Sequence, residues 1–329
     1  MDWTETKVLV TGAGGFIGSH LTETLVKRGA HVRAMVRYNS RNSWGHLDEL
    51  PDKLKSKLEV VSGDIRDPFF VDAAVEGVDT VFHLAALIAI PYSYAAPQSY
   101  VETNVNGTLN ILQAARRYDT RKVVHTSTSE VYGTALYTPI DESHPPQAQS
   151  PYSASKIGAD KLAESFFRSF GLPVATIRPF NTFGPRQSAR AIIPTIVSQA
   201  LWRDRIELGS LFPVRDLTFV SDTVKAFVRI AEVAETSGEV INIGTGRGFT
   251  VSEVAERILT LLGVTTPIMT AEDRVRPVNS EVFKLICNSN KARTLIDWQP
   301  KTCLDEGLRA VIYWMRANRD SFKADVYNV

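Results

Sequence analysis

Residues 7–18 of the chain read KVLVTGAGGFIG, and this stretch decides the fold. Its first five residues form a short apolar run, which is typical of a buried strand, and helical spacing of apolar residues begins at Phe16. Between them, Gly12 permits a tight turn, Gly15 lets backbone approach a pyrophosphate, and Gly18 lets the helix pack closely on the strand. A phosphate would meet the free N–H groups at the helix start. The stretch therefore predicts a dinucleotide-binding strand–turn–helix unit.

Short apolar runs and amphipathic segments alternate through the first half of the chain. Strands are predicted at residues 7–11, 31–36, 58–61, 79–83, 122–126 and 174–177, and helices at residues 16–28, 97–117 and 151–170. Such alternation implies a parallel sheet covered by helices on both faces. Because crossovers between parallel strands are right-handed, the sheet should be doubly wound. The predicted fold class is α/β, a Rossmann sheet with a smaller C-terminal domain.

The rhythm changes after Pro179, where loops with proline and glycine separate shorter elements. Residues 239–243 read as one more strand, one that could return to the sheet. We therefore predict a dinucleotide-binding domain at residues 1–180, rejoined by about residues 216–245. Residues 181–215 and 246–329 are predicted to form the substrate-binding domain.

The composition limits the class of protein. The 329 residues contain 37 Lys plus Arg and 36 Asp plus Glu, for a net charge of +1. Near-neutrality argues against nucleic acid or a membrane as partner, so an anionic ligand must meet locally placed cations. Cys287 and Cys303 have no metal-ligand spacing, so no metal is expected. A signal-peptide pattern and a bilayer-length apolar run are both lacking, so we expect a soluble cytoplasmic protein.

The end of the second predicted strand bears on which dinucleotide binds. NAD-binding proteins usually carry an acidic residue there, about 20 positions beyond the glycines, to bind the ribose hydroxyls. This chain has Arg37 and Arg41 instead, with no carboxylate. These arginines could meet a 2′-phosphate, or could simply be solvated surface residues. The sequence slightly favours NADP over NAD.

Tyr152 and Lys156 are candidates for proton transfer. They lie four residues apart in the predicted helix at residues 151–170 and therefore share one face. A phenol with a pKa of about 10 is a poor base at neutral pH, and a neighbouring ammonium would lower that pKa. Residues 126–133, TSTSEVYG, follow the fifth predicted strand, and open α/β sheets bind ligands at that edge. This placement favours an active-site role over a pair of surface residues.

Together, the glycine motif, the hydroxyl-rich turn and the Tyr-x-x-x-Lys pair resemble an extended short-chain dehydrogenase/reductase of the NAD-dependent epimerase/dehydratase family. The resemblance covers essentially the whole chain and implies a nucleotide-sugar substrate. It implies that Thr128 hydrogen-bonds the sugar 4-oxygen and that Tyr152 takes the 4-hydroxyl proton as C4 gives up hydride. Lys156 would hold the nicotinamide ribose and depress the pKa of Tyr152, and Asn104 would support this cluster.

The same resemblance assigns residues to the two ligands and implies a homodimer formed through the helices at residues 97–117 and 151–170. Asn181, Arg215 and Arg276 fall where the family contacts the substrate diphosphate, a task that suits arginine. The implied cofactor-binding residues are Gly12, Gly15, Phe16, Ile17, Gly18, Arg37, Asp64, Ile65, Leu84, Ala85, Ala86, Asn104, Tyr152 and Lys156. The implied substrate-binding residues are Leu87, Asn181, Arg186, Arg215 and Arg276.

Glu130 is the residue that separates the possible reactions. A 4-epimerase needs no carboxylate beside C5, whereas a 4,6-dehydratase must remove the C5 proton and expel the 6-hydroxyl, so Glu130 would be its general base. Ser129 stands where dTDP-glucose dehydratases carry an acidic aspartate, so the Thr-Ser-Glu triplet instead resembles GDP-mannose 4,6-dehydratases. UDP-glucuronate decarboxylases share this triplet, and a buried structural carboxylate is the remaining alternative.

Residues 85–94 and 150–160 resemble the legionaminic-acid-pathway dehydratases, which act on nucleotide-linked N-acetylglucosamine. The apolar residues 87–90 offer no cation for a uronate and would suit an acetamido methyl group, although core packing explains them equally well. We therefore expect a hydro-lyase, a 4,6-dehydratase that converts UDP- or GDP-N-acetylglucosamine to the 4-keto-6-deoxy sugar. The alternatives are a 4-epimerase, a UDP-glucuronate decarboxylase and a non-catalytic dinucleotide-binding regulator.

Overall fold

The computed structural model describes residues 1–324 and 326, with Val278 described in its backbone only. The strands are β1 Lys7–Thr11, β2 His31–Arg37, β3 Leu58–Gly63, β4 Thr80–His83, β5 Lys122–Thr126, β6 Val174–Pro179, β7 Thr182–Phe183, β8 Ile206–Leu208, β9 Val214–Asp216, β10 Thr218–Phe219, β11 Val240–Ile243, β12 Gly248–Thr250, β13 Ile268–Thr270 and β14 Lys284–Leu285. The α-helices are α1 Phe16–Lys27, α2 Asp52–Lys55, α3 Pro68–Val75, α4 Ile90–Ala95, α5 Pro97–Tyr100, α6 Gly107–Arg117, α7 Pro151–Phe170, α8 Ile192–Trp202, α9 Val220–Glu232, α10 Val251–Leu262, α11 Asn290–Ile296 and α12 Leu304–Ala317.

Seven strands form one parallel sheet in the order β11-β6-β5-β4-β1-β2-β3. The order reverses between β1 and β4, so the loops that follow these two strands diverge and leave a crevice at their carboxyl ends. The predicted α/β class with a doubly wound parallel sheet is confirmed.

Helices cover both faces of the sheet, as its β-branched strands require. On one face, Leu21 of α1 and Phe227 of α9 are fully buried against the strands. On the other face, Ile111 of α6 and Phe166 of α7 are buried in a second core. The sheet is therefore rigid on both sides, and its carboxyl edge is a fixed platform for side chains.

The strand predicted at residues 239–243 does return to the sheet, because β11 pairs in parallel with β6. A separate core forms between α8, α10 and α12, where Ile196, Ile258 and Leu308 are fully buried. These two packing units support our proposed division into a discontinuous sheet domain and a smaller substrate domain.

The segment predicted as one helix at residues 97–117 is continuous but irregular. A π-helical stretch, Val101–Asn106, joins α5 to α6 and carries Asn104 on its buried side. Such wide turns inside α-helices often occur at functional sites, because they reorient a side chain without ending the helix. The wide turn is thus a candidate for orienting Asn104.

Local sequence sets the start and end of α7, the helix that carries Tyr152 and Lys156. Ser150 and Ser153 form a reciprocal capping box, Pro151 occupies the first turn, and Gly171 ends the helix at φ 69°. These signals place Tyr152 in the first turn, at the edge of the sheet.

In the part of the chain that is described, no helix is long and apolar enough to cross a bilayer.

Candidate active site

A cavity of about 1280 Å³ follows the carboxyl edge of the sheet. Drug-sized ligands usually occupy about 300–1,000 Å³, so this cavity has room for two ligands side by side. One end lies at Gly12 and Arg37, the middle at Glu130 and Tyr152, and the far end at Arg276.

The glycine end of the cavity is built for close backbone approach. Gly12 has φ +69°, and a Cβ there would lie 2.9 Å from the backbone nitrogen of Ala85. A Cβ at Gly18 would lie 2.1 Å from the carbonyl oxygen of Gly12, so helix and turn touch directly. Gly15 caps α1 without any side-chain hydrogen bond, which leaves the amides of its first turn to a ligand. This cradle fits a dinucleotide pyrophosphate.

Sequence reasoning missed the loop at residues 38–45, which closes over the glycine turn. The backbone nitrogen of His46 donates to the carbonyl oxygen of Gly14 at 3.0 Å, and a Cβ at Gly14 would lie 2.3 Å from the carbonyl oxygen of Trp44. Asn39 folds the loop, because its Nδ2 donates to the carbonyl oxygens of Arg37 and Ser43. The available signal was Gly14, a further glycine between the predicted Gly12 and Gly15.

Tyr152, Lys156 and Thr128 converge in the middle of the cavity. The Nζ of Lys156 donates to the carbonyl oxygen of Thr126 at 2.6 Å, which anchors α7 to the end of β5. Thr128 caps the turn Ser129–Tyr132 by accepting a hydrogen bond from the backbone nitrogen of Glu130. Its hydroxyl is also within hydrogen-bond reach of Tyr152, the residue with which it is predicted to act.

Burial dominates the acid–base properties of this group. It raises the pKa of Tyr152, and a hydrogen bond with Thr128 only partly opposes the effect. Burial also lowers the pKa of Lys156 to about 8, although the negative charge of Asp160 opposes this shift. The chain's own groups therefore keep Tyr152 protonated, and its ionisation requires a positive charge brought by a ligand.

Glu130 lines the same cavity and contacts the predicted phosphate arginines. Its Oε1 lies 4.0 Å from the Nε of Arg215, and Glu281 bridges the two arginines at 3.5 Å from Arg215 and 3.6 Å from Arg276. Ser129 is buried beside Glu130 and lines the cavity. The Glu130 carboxylate thus lies between the predicted proton-transfer pair, Tyr152 and Lys156, and the two arginines.

Three predicted ligand-binding residues do not line the cavity. Arg186 points away, because its Nη2 pairs with Glu23 at 2.9 Å on the outer side of α1. The Asn104 side chain hydrogen-bonds to the protein's own backbone: its Nδ2 donates to the carbonyl oxygen of Leu87, and its Oδ1 accepts from the Leu87 nitrogen. Arg215 stands behind Glu130, where burial lowers its pKa. The spacing of motifs could not reveal these orientations.

The remaining predicted residues all line the cavity, together with others that the sequence did not single out. The lining set that was predicted comprises Gly12, Gly15, Phe16, Ile17, Gly18, Arg37, Asp64, Ile65, Leu84, Ala85, Ala86, Leu87, Thr128, Ser129, Glu130, Tyr152, Lys156, Asn181 and Arg276. The unpredicted lining residues include Gly14, Trp44, Gln187 and Arg190.

Three buried polar atoms at the far end of the cavity lack hydrogen-bond partners among the described residues. The Oδ1 of Asn181, the Oε1 of Gln187 and the Nη1 of Arg276 are buried and have no hydrogen bond to any described residue. Buried polar groups are normally paired, so these atoms mark a place for a polar ligand. Within the described residues, no cluster of His, Cys, Asp or Glu side chains is placed to hold a metal ion.

Comparisons with known proteins agree with this geometry. The family model for GDP-mannose 4,6-dehydratase matches residues 9–311. The dTDP-D-glucose 4,6-dehydratase of Mus musculus is 31% identical over 326 residues, which cover 96% of this chain and 90% of the relative. The UDP-glucose 4-epimerase of Mycolicibacterium smegmatis is 33% identical over 323 residues, which cover 94% of this chain and 98% of the relative. The crystal structure of DesIV, the dTDP-glucose 4,6-dehydratase from Streptomyces venezuelae with NAD and TYD bound, matches at TM-score 0.86 and 30% identity, covering 97% of this chain and 99% of that one.

The fold and the site together define an extended short-chain dehydrogenase/reductase of the epimerase/dehydratase class, as predicted. The chain belongs to the GDP-mannose 4,6-dehydratase family. Its relatives include both dehydratases and epimerases, so membership confirms the class of nucleotide-sugar enzyme and leaves the particular reaction to the site.

Proposed function

We propose that the protein is a 4,6-dehydratase that converts UDP- or GDP-N-acetylglucosamine to the 4-keto-6-deoxy sugar with net loss of water. The observation that carries the proposal is the position of Glu130, which lines the same cavity as Thr128, Tyr152 and Lys156. A 4-epimerase has no task for a base at C5, whereas elimination across C5 and C6 needs one.

Each of these residues has a distinct task. Thr128 holds the sugar 4-oxygen, Tyr152 accepts the 4-hydroxyl proton, and Lys156 stabilises the ionised phenol. A nicotinamide dinucleotide, when bound, accepts hydride from C4 and returns it to C6. Glu130 removes the C5 proton, which the 4-ketone acidifies. Because Ser129 offers no acid at neutral pH, Glu130 also passes that proton to the departing 6-hydroxyl, which leaves as water. C5 then takes a proton from solvent as hydride adds to C6.

The far end of the cavity suits the nucleoside diphosphate. Arg276 presents a buried Nη1 that has no hydrogen bond to any described residue and that pairs with the Glu281 carboxylate at 3.6 Å. Asn181 presents a buried Oδ1 that has no hydrogen bond to any described residue. Arg215 backs this cluster through Glu281. Arginine is the side chain best suited to phosphate oxygens, so a near-neutral protein can hold an anionic substrate with few cations.

The apolar segment at residues 87–90 supports an acetamido sugar. Leu87, Ile88 and Ile90 all line the cavity. Ile90 is also buried with Tyr100 and Tyr152, and Leu87 packs against that cluster, whereas Ile88 is 63% exposed. Core packing thus accounts for Leu87 and Ile90 but not for Ile88. Ile88 offers an apolar contact for a methyl group, as in the legionaminic-acid-pathway dehydratases that the sequence resembles.

One observation favours a second candidate, a UDP-glucuronate decarboxylase. Arg190 lines the cavity, and its charge lies close enough to Tyr100 to oppose the rise in pKa that burial gives that phenol. Residues 87–90 offer no cation to the cavity, but Arg190 does. A uronate carboxylate could pair with Arg190, and the 4-ketone would then release carbon dioxide instead of water.

NADP is the dinucleotide that we propose for this site. Arg37 and Arg41 both line the cavity, and Asn39 holds the loop between them by accepting hydrogen bonds from the Arg41 and Ser43 nitrogens. The nearby carboxylate, Asp64, pairs with Arg66 at 2.7 Å. A 2′-phosphate would find two guanidinium groups on an ordered loop.

We also propose a homodimer formed through α6 and α7 with the π-helical segment between α5 and α6. Val101 is 50% exposed on that segment, and Leu109 and Leu162 are only partly buried nearby. Apolar side chains grouped on adjacent helices are suited to a second copy of the same face. Light scattering of the purified protein tests this association directly.

Product mass separates the candidate reactions. The protein with NADP or NAD is incubated with UDP- or GDP-N-acetylglucosamine, and in parallel with UDP-glucuronate. Loss of water supports the dehydratase, loss of carbon dioxide the decarboxylase, and a new stereoisomer of unchanged mass the epimerase. No reaction with any sugar, together with dinucleotide binding, would favour a regulator. Tyr152→Phe is the matched inactive control, because it removes only the phenolic hydroxyl.

A further inference from the structure

Asp160 is a buried carboxylate on α7, one turn beyond Lys156. It is surrounded by donors from two strands: the Nε2 of His125 at 3.1 Å, the Oγ of Ser127 at 2.7 Å and the Nη2 of Arg178 at 2.9 Å. Burial alone would raise the pKa of Asp160, but the hydrogen bond from His125 and the charge of Arg178 hold it at about 2. Asp160 is therefore ionised and ties α7 to β5 and β6.

A second link leads from Asp160 to the turn that carries Glu130. The Nη1 of Arg178 donates to the hydroxyl of Tyr132 at 2.9 Å, and that hydroxyl donates to the Oδ1 of Asn242 at 2.8 Å. Tyr132 is fully buried and ends the same short turn, Ser129–Tyr132. The chain Asp160–Arg178–Tyr132 thus connects the helix of Tyr152 and Lys156 to the turn of Glu130.

We propose that Asp160 is a positioning residue with two effects: its carboxylate, buried on α7 four residues from the buried Lys156, supplies the negative charge beside that ammonium, and its pairing with Arg178 fixes the Glu130 turn relative to Tyr152. The second effect rests on the proposed function, because only elimination uses Glu130. The first does not, since C4 oxidation by Tyr152 and Lys156 precedes every reaction considered above.

The charges around Lys156 explain the first effect. Arg178 faces Asp160 from β6 and His125 faces it from β5, with His83 of β4 stacked on His125. Burial lowers the pKa of both histidines, so neither adds a positive charge at neutral pH. Burial also lowers the pKa of Lys156 to about 8, and Asp160 is the charge that opposes it. Neutralising Asp160 therefore lowers the pKa of Lys156 further.

The test is Asp160→Asn, with C4 oxidation followed as reduced nicotinamide in a single turnover across pH. Because protonated Lys156 is the active form, the rate falls as pH rises through its pKa. In Asp160→Asn, we expect this fall in rate at high pH, the alkaline limb of the profile, to occur about 1 pH unit or more lower, since an opposite charge nearby shifts a pKa by about 1–3 units.

Asp72→Asn is the matched control, because Asp72 also pairs with an arginine and a tyrosine, Arg117 and Tyr118, but outside the cavity. An alkaline limb identical to that of the unsubstituted protein would overturn the charge effect.

If Asp160→Asn does not fold, the pH dependence of C4 oxidation is measured in the double variant Asp160→Asn/Arg178→Gln, because the double change leaves no unpaired Arg178 charge in the core.

Tyr132→Phe tests the positioning effect with almost no change in side-chain volume. We expect the rate of C4 oxidation to be unchanged. The ratio of the rate of water loss to the rate of C4 oxidation should fall roughly tenfold, which is the effect expected from losing one hydrogen bond to a charged group. An unchanged ratio overturns the positioning effect. If the unsubstituted protein releases no water, the proposed function fails. The pH dependence of C4 oxidation still tests whether Asp160 acts on Lys156.

Discussion

The Oε1 of Glu130 lies 4.0 Å from the Nε of Arg215, and both side chains are about seven-eighths buried. Glu281 contacts both Arg215, at 3.5 Å, and Arg276, at 3.6 Å. In the proposed function, the carboxylate that serves elimination therefore contacts the cluster that serves the diphosphate, and Arg215 links the two.

Replacing Glu130 by Gln should abolish water loss while C4 oxidation continues. The amide has the same shape but cannot accept the C5 proton, and general-base catalysis contributes about 10²–10⁴-fold to a rate. Reduced nicotinamide should then accumulate, because hydride has no acceptor at C6. Absorbance measures the first step and product mass the second. Full dehydration by this variant would refute the role of Glu130.

Gly14→Ala should weaken dinucleotide binding at least roughly tenfold. A Cβ at Gly14 would lie 2.3 Å from the carbonyl oxygen of Trp44, so the loop at residues 38–45 must move off the glycine turn. Gly158→Ala is the control, because its Cβ would meet Val105 at an ordinary 3.4 Å within α7. That change should leave dinucleotide affinity unchanged and gain up to about 1 kcal/mol of helix stability. Calorimetric titration compares the two variants, and equal dissociation constants would contradict the loop's role.

Arg37→Ala should weaken NADP binding by roughly tenfold or more and leave NAD binding nearly unchanged. Charge-assisted hydrogen bonds contribute about 1.5–3 kcal/mol, and only NADP carries the 2′-phosphate. Arg121→Ala is the control, since Arg121 pairs with Asp79 away from the cavity. Titrating both dinucleotides against the unsubstituted protein and the two variants gives the six dissociation constants needed. Equal affinity of the unsubstituted protein for NAD and NADP would refute the preference.

Acid should destabilise the protein partly through His20. Burial lowers the pKa of His20 from 6.5 to about 4, although a hydrogen bond to the carbonyl oxygen of Pro185 opposes the shift. Protonation therefore favours the unfolded state, and the stability from this group is lost as pH falls from about 6.5 towards about 4, by at most about 3 kcal/mol.

His20→Gln should reduce that pH dependence. The free energy of unfolding in urea should decline less between pH of about 7 and about 5 than in the unsubstituted protein, even though the variant starts from a lower value. His31→Gln, at an exposed position, serves as the control and should leave the slope unaltered. If the free energy of unfolding of His20→Gln changes with pH as steeply as that of the unsubstituted protein, His20 does not titrate in this range.

Features with a local physical cause could be predicted well from the sequence. The helix α7 starts at Pro151 and ends at Phe170, as predicted, because a capping box and a terminal glycine act within a few residues. The glycine turn and the sheet strands likewise follow from backbone freedom and apolar runs. These elements place Tyr152, Lys156 and Thr128 correctly, since each lies at a fixed distance from a helix start or a strand end.

Features that depend on distant side chains could not be predicted. Arg186 was assigned to substrate, but it pairs with Glu23 on α1, which is 163 positions earlier in the sequence. Asn104 was assigned to the cofactor, but its amide is used by the backbone of Leu87 and the hydroxyl of Ser155. No spacing rule indicates which partner a long or polar side chain will meet across the fold.

The sequence by itself therefore determined the class of fold and indicated the groups that we propose to react, because hydrophobic periodicity, glycine turns and helix caps act over short distances. Only the tertiary structure decided which groups share one cavity, that Glu130 contacts Arg215, and that Asp160 faces Arg178 beneath Lys156. Those relationships arise where strands and helices far apart in sequence pack at one sheet edge. There, burial and neighbouring charge set each pKa, and neither can be read from residue order.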